Sequence, residues 1–241
     1  MRTLSKHLKR LNLSRAVQVP RKESKFTFKP RSGPHGKDRS IALATILRDY
    51  LNLAGTGREA KRIVASRAVL VDGKVITDHK YPVGIMDVVS IPSINKHFRV
   101  LFDTKGKLRL VEISENDATW KLSRIENIKT IKGGKFQISL HDGRNIIVDE
   151  KKYNTGDVLK IDLKTGQILE HLPFSEGYYA YIIGGKNVGR IAKIEDYKVV
   201  NAITPNMVKF KEGFETTKYN TFVVGSSKPL IQIPEVNLNE Q

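Results

Sequence analysis

An α+β chain made of several small domains is what this sequence predicts, and three observations carry the prediction. Apolar residues recur at helical spacing between Ile41 and Ala65. Downstream, short apolar runs alternate with Asp-Gly, Lys-Gly and Gly-Gly turns, which is the texture of short antiparallel strands. The first 40 residues fit neither pattern, because they are basic and punctuated by Pro20, Pro30 and Pro34.

The basic leader comes first. Residues 1–40 hold 12 Lys or Arg against Glu23 and Asp38, so they carry +10 of the chain's net +17. The prolines, with Gly33 and Gly36, make "FKPRSGPHGKDRS" extended rather than helical. A transit peptide is the alternative reading, since Leu4, Leu8 and Leu11 stand at helical spacing. An extended arm that threads along phosphates accounts for the prolines better. Its candidate RNA contacts are Arg10, Arg15, Arg21, Lys22, Arg31, His35, Lys37 and Arg39. With so little periodic apolar surface, the arm is expected to be disordered alone and to order on binding.

Composition narrows the partners. A pI near 9.9 favours polyanions: nucleic acid, an anionic membrane face or an acidic protein. No run approaches the roughly 20 apolar residues of a membrane span. The chain has no cysteine, which excludes disulfides, cysteine zinc sites and thiol nucleophiles. At 241 residues and 39% hydrophobic, several small cores fit better than one large one.

After the arm, Ser40 is placed to cap a first helix, "IALATILRDYLNL", with Ile46, Leu47, Tyr50 and Leu51 on one face and Gly55 ending it. Thr56 followed by Glu59 is a capping box, so a second helix starts there. In it Ala60, Ile63 and Val64 share one face, and Arg58, Lys61 and Arg62 another. "AVLV", Asp72-Gly73 and "KVIT" form a hairpin with a type I′ turn, and "DVVSI" adds a strand. The cations could be an ordinary solvated face. Against that, Glu59 is the only carboxylate between Thr56 and Val71.

The order helix, helix, "REAKRIVASRAVLVDGKVITD…DVVSI" resembles the alpha-L RNA-binding module, over residues 41–92. That module occurs in small-subunit ribosomal protein four, in some pseudouridine synthases and in bacterial tyrosyl-tRNA synthetases. The resemblance implies that the basic helix face and the hairpin meet RNA backbone, through Arg58, Lys61, Arg62, Arg67 and Lys74.

Residues 93–172 read as a central β domain of three strand-turn-strand units: "HFRVLFDTKGKLRLVEIS", "FQISLHDGRNIIVDE" and "TGDVLKIDLKTGQIL". Residues 173–212 follow with "YYAYIIGGKNVGRIAKIEDY", where Gly184, Gly185 and Gly189 shape a turn carrying Lys186, Asn187 and Arg190. An ordinary hairpin is one reading of it. It also resembles a KOW motif, a small SH3-like barrel piece, although Tyr178 and Ala192 depart from the usual pattern. Residues 213–241 are left as a C-terminal tail.

No chemistry emerges. The six histidines show no metal-ligand spacing. "GPHGKD" fails as a phosphate loop, because Arg31 and Asp38 stand where glycine and Ser or Thr are needed. Asp78-His79 has no accompanying nucleophile elbow. Aromatics are 7% of the chain, too few for a single-strand stacking platform.

The full order of arm, alpha-L module and two small β-barrel-like modules, the second KOW/SH3-like, resembles the e-type small-subunit ribosomal protein four of archaea and eukaryotes, with lengths nearer the archaeal form. The resemblance implies a non-enzymatic protein of the cytoplasmic ribosome, without cofactor or metal, whose partners are small-subunit rRNA and neighbouring ribosomal proteins rather than a membrane or a small-molecule substrate. Two rivals are an RNA-modifying enzyme that borrows the alpha-L module for docking, and a transient KOW-containing transcription or translation factor.

Overall fold

The computed structural model describes residues 7–150, 152–198 and 205–233. Leu4 of the arm, residues 199–204 and the tail beyond Ile233 lie outside the described residues. The chain divides into two compact units: Met1–Leu101 with Lys107–Thr119, and Phe102–Gly106 with Trp120–Gln241.

In the first unit the arm is extended, as its prolines require, but it is not detached. Leu8–Lys9 pairs antiparallel with Phe26–Thr27. Leu8, Val17 and Val19 are buried. The Leu108 N–H donates to the Ala16 carbonyl at 2.7 Å, and the Gln18 N–H to the Tyr50 hydroxyl at 2.8 Å. Scarce periodic apolar surface therefore does not leave the arm without apolar anchorage. Its apolar residues lack a period, yet these three are buried singly against the unit. The helical spacing of Leu8 and Leu11 is not used: Leu8 is in a strand and Leu11 is 68% exposed.

Ser40 does not cap a helix. Ser40–Ala42 is a strand antiparallel to Pro82–Gly84, with Ile41 opposite Val83. Both side chains are buried, and each such burial is worth about 1.5–3 kcal/mol, more than a cap at about 1 kcal/mol. The helical turn begins only at Leu43–Thr45, behind an uncapped Ala42, and widens into a π-helix over Ile46–Tyr50. Ile46 and Leu47 are fully buried, while Tyr50 and Leu51 are half-buried. The segment stops at Asn52, whose φ of 51° turns the chain before Gly55 is reached. Asparagine enters this left-handed region more readily than most residues.

The second helix, Gly57–Ala65, forms as expected behind its capping box. Asp72 and Gly73 have φ of 50° and 73°, the signs a type I′ turn needs. Asp72 does more than turn the chain. Its buried carboxylate accepts the Val88 N–H at 2.9 Å, tying the hairpin to the next strand. The resulting sheet has the order Lys74–Val75, Leu70–Val71, Val88–Ile91, Lys96–Phe102, Leu108–Ile113. The unit "HFRVLFDTKGKLRLVEIS", expected to open the central β domain, thus pairs instead with the sheet of the helical module. The apolar edge "DVVSI" offers it a partner, with Val89 opposite Phe98.

Among the described residues the second unit holds two five-stranded antiparallel sheets. Each is organised by one long strand that changes partners partway. Trp120–Thr130 pairs with Val158–Asp162 through Arg124, then with Phe136–Leu140, with a register shift between Ile125 and Asn127. Ile191–Lys198 does the same between Tyr179–Ile182 and Met207–Phe210, shifting between Ile194 and Asp196. Such bulges bend a strand, which lets a small sheet curl around its own core. Ile125, Ile138, Leu140, Leu159 and Ile161 form that core in the first sheet. The second sheet runs on through Glu215–Thr217 and Thr221–Gly225, so it spans the boundary set at 212.

Candidate nucleic-acid interface

The helix Gly57–Ala65 sorts its residues by period. Ala60 and Val64 are fully buried and Ile63 is half-buried, whereas Arg58, Lys61 and Arg62 are exposed. Glu59, the one acid of the stretch, is turned to the helix start. Its Oε2 accepts the N–H groups of Gly55 at 2.9 Å and Thr56 at 3.3 Å, and Thr56 Oγ1 accepts the Glu59 N–H at 3.2 Å. Those backbone donors hold its carboxyl below the usual range, with Arg62 adding to the effect.

Arg67, with a positive φ of 62°, is exposed in the turn between the helix and the hairpin, and Lys74 is exposed at the start of the return strand. Gly57 sits beside the ring of Phe28 at 2.9 Å from where a β-carbon would stand. The Arg48 guanidinium lies 5.1 Å from the centre of the same ring. The arm therefore runs past the start of the helix. Next along the arm, Arg31 Nη1 donates to Asp78 Oδ2 at 3.1 Å while its side chain stays 74% exposed. Burial works to raise the Asp78 carboxyl, but the Lys80 N–H and Arg31 more than offset it, so it is lowered. Burial and the positive field of Lys61 lower the neighbouring His79. A cation of the arm and one of the helix, 30 positions apart in sequence, thus both act on the Asp78-His79 pair, Arg31 by pairing with Asp78 and Lys61 through its field on His79.

Arg15, Arg21, Lys22 and Lys37 are exposed and Arg39 is half-buried. Two arm candidates are corrected. Arg10 is 4% exposed; its Nη1 donates to the Pro20 carbonyl at 2.6 Å, and it pairs with Glu23 and Asp49 at 3.7 Å each. His35 keeps only 5% of its side chain exposed, pairing through Nε2 with Asp87 at 2.9 Å. Asp87 also accepts the Gly84 N–H at 2.8 Å, and the His35 ring fills the space a side chain at 84 would need. Neither residue has a face left for RNA. Both fasten the arm.

In the second unit Lys186 and Arg190 are exposed and Asn187 is half-buried, on the loop between Tyr179–Ile182 and Ile191–Lys198. Sequence reasoning missed Phe28 and Asp87, which position the arm. The available signals were Gly57 and Gly84, small residues where the local element does not require them. Among the described residues no group of three or more His, Asp or Glu could hold a metal ion. Among the described residues no helix is long and apolar enough to cross a membrane.

Known proteins match this arrangement along its length. The model of the Ribosomal family S4e matches residues 94–168, the S4 domain residues 43–89, and the RS4NT (NUC023) domain residues 2–38. The small ribosomal subunit protein eS4 of Methanosphaera stadtmanae is 46% identical over 231 residues, 95% of each chain. That of Methanocaldococcus jannaschii is 43% identical over 240 residues, 95% of this chain and 97% of its own. The crystal structure of the 30S ribosomal protein S4e from Thermoplasma acidophilum superposes with a TM-score of 0.70 at 37% identity, covering 79% of this chain and 97% of that one. Sharing an S4 domain, an S4e region and nearly full-length identity with these relatives, the chain belongs to the ribosomal protein S4e family.

Proposed function

We propose that the chain is a structural constituent of the small ribosomal subunit that binds rRNA by neutralising phosphates and matching the shape of folded RNA. The observation that carries this reading is the exposed set Arg58, Lys61 and Arg62, in a stretch whose one acid between Thr56 and Val71 is occupied by the helix cap. Arg31, Arg67 and Lys74 extend the same basic surface, and Arg15, Arg21, Lys22, Lys37 and Arg39 supply the arm's share. The partners are small-subunit rRNA and neighbouring ribosomal proteins, and the place of work is the cytoplasmic ribosome. Arm, alpha-L module, central β region and KOW module act as successive RNA-contacting parts. No catalytic step, cofactor or small-molecule substrate enters this reading.

Binding of the full chain to a small-subunit rRNA fragment, followed across salt, tests it. With about 6–10 phosphates neutralised, affinity falls roughly 10³–10⁵-fold between about 50 and 200 mM salt. A flat response overturns the reading. Release from isolated subunits in a high-salt wash, in place of stoichiometric retention, marks a transient factor instead.

A further inference from the structure

Within the second unit, the turn Phe102–Gly106 is held against the glycine-rich loop that follows Tyr179–Ile182. Tyr181 is fully buried, and its hydroxyl donates to the Phe102 carbonyl at 2.6 Å while accepting the Phe102 N–H at 2.7 Å. One side chain thereby satisfies both backbone groups where the strand leaves its sheet. Burial raises the phenol far above its ordinary value, so it stays a neutral donor. Beyond it the turn closes through Gly106 N–H to the Asp103 carbonyl at 2.9 Å, and Asp103 Oδ1 accepts the Lys105 N–H at 2.8 Å.

The loop meets this turn at two points. Val188 Cγ1 lies 3.4 Å from where a β-carbon on Gly106 would stand. Gly189, with φ of 80°, is pressed so closely on the Asp103 carbonyl and the Thr104 nitrogen that no side chain fits. Gly184 is packed in the same way on the Asn220 side chain. Lys105 follows the turn's contact point by two residues, and Arg190 follows the loop's by one. Lys105, Lys186 and Arg190 are all exposed, and none makes an ion pair among the described residues. Asp103 is 1% exposed, so its carboxylate is turned inward.

We propose that Lys105 joins Lys186 and Arg190 in one phosphate-binding patch, assembled from two segments about 80 residues apart, that takes the backbone of rRNA. It rests on the rRNA-binding reading and adds a contact that the glycine loop alone does not supply. Packed glycines and the Tyr181 clamp hold the turn and the loop in fixed relation, so the cations meet the RNA as a pre-positioned set.

The chain's lack of cysteine supplies the test. Lys105→Cys and Asn187→Cys, each in the full chain, give unique attachment points for iron-EDTA. Hydroxyl-radical cleavage of bound small-subunit rRNA is then mapped from both. Cleavage on overlapping nucleotides is expected. Separately, Lys105→Ala is expected to reduce the slope of log affinity against log salt by about 0.7–0.9, as Lys186→Ala does. Cleavage from 187 without overlapping cleavage from 105, or a slope unchanged by Lys105→Ala, overturns the patch and leaves rRNA binding intact. Absence of salt-dependent binding by the wild-type chain overturns both.

Discussion

The arm and the helix Gly57–Ala65 are both rich in cations and poor in acid, yet the structure treats their cations in opposite ways. On the helix, Arg58, Lys61 and Arg62 are all exposed while Ala60 and Val64 are buried. In the arm, Arg10 and His35 are buried on carboxylates and a carbonyl, while Arg15, Arg21 and Lys22 remain outside. A repeating period sorts a charged segment into faces before any tertiary contact forms. An extended segment has no such sorting, so each cation's fate depends on what it happens to pass. Charge density alone therefore identifies a basic segment but not its binding residues.

The comparison can be broken most forcefully at the buried face. Val64→Asp places an unpaired charge where no solvent reaches, and roughly 4 kcal/mol or more of the first unit's stability is expected to go. A thermal melt that shows a loss under about 1 kcal/mol would mean that the two helix faces are not distinct.

Arg10→Ala is next. It leaves the Pro20 carbonyl without its donor and removes the partner of Glu23 and Asp49, so about 1–3 kcal/mol is expected to be lost. Asp49 keeps Arg48 at 2.8 Å, which limits the damage. Urea unfolding measures the loss. In the same variant, rRNA affinity under conditions where the protein stays folded should match wild type. A stability-neutral, binding-defective Arg10→Ala would return Arg10 to the RNA-contacting set.

Thr56→Ala removes a donor-acceptor pair at the helix start and should cost about 1 kcal/mol. The reciprocal half depends on acid. The Glu59 carboxyl is lowered by the folded-state N–H groups, so its contribution is present above its unfolded value near 4.5 and disappears as pH falls through the lower folded value. An NMR titration of Glu59 that places its pKa at or above 4.5 would contradict the cap.

The smallest effect on stability, and the most informative for function, comes from replacing Arg58, Lys61 and Arg62 together by Ala. Each exposed site should change stability by no more than about 0.5 kcal/mol. Binding to folded rRNA should nevertheless weaken for every target tested, with the salt slope falling by about 1 for each lost phosphate contact. Wild-type binding in this variant would reduce the helix to a solvated face.

The sequence by itself determined the helix Gly57–Ala65 with its cap, the Asp72-Gly73 hairpin and the strand-turn-strand units around Gly143 and Gly166. Each is a local decision, set by side-chain period or by a turn's need for positive φ, and such decisions are written in neighbouring residues. It also determined the exposed cations of that helix and the polyanionic character of the partner. Tertiary structure alone decided that Ser40 joins a strand opposite Gly84, that Lys96–Phe102 and Leu108–Ile113 extend the sheet of Leu70–Val71 and Val88–Ile91, and that Thr221–Gly225 pairs back to Tyr179–Ile182. It alone buried Arg10 and His35 and set the turn at Lys105 beside the loop at Gly189. These outcomes join residues tens of positions apart, where burial and pairing outweigh local preference, and no short-range pattern records which distant partner is available.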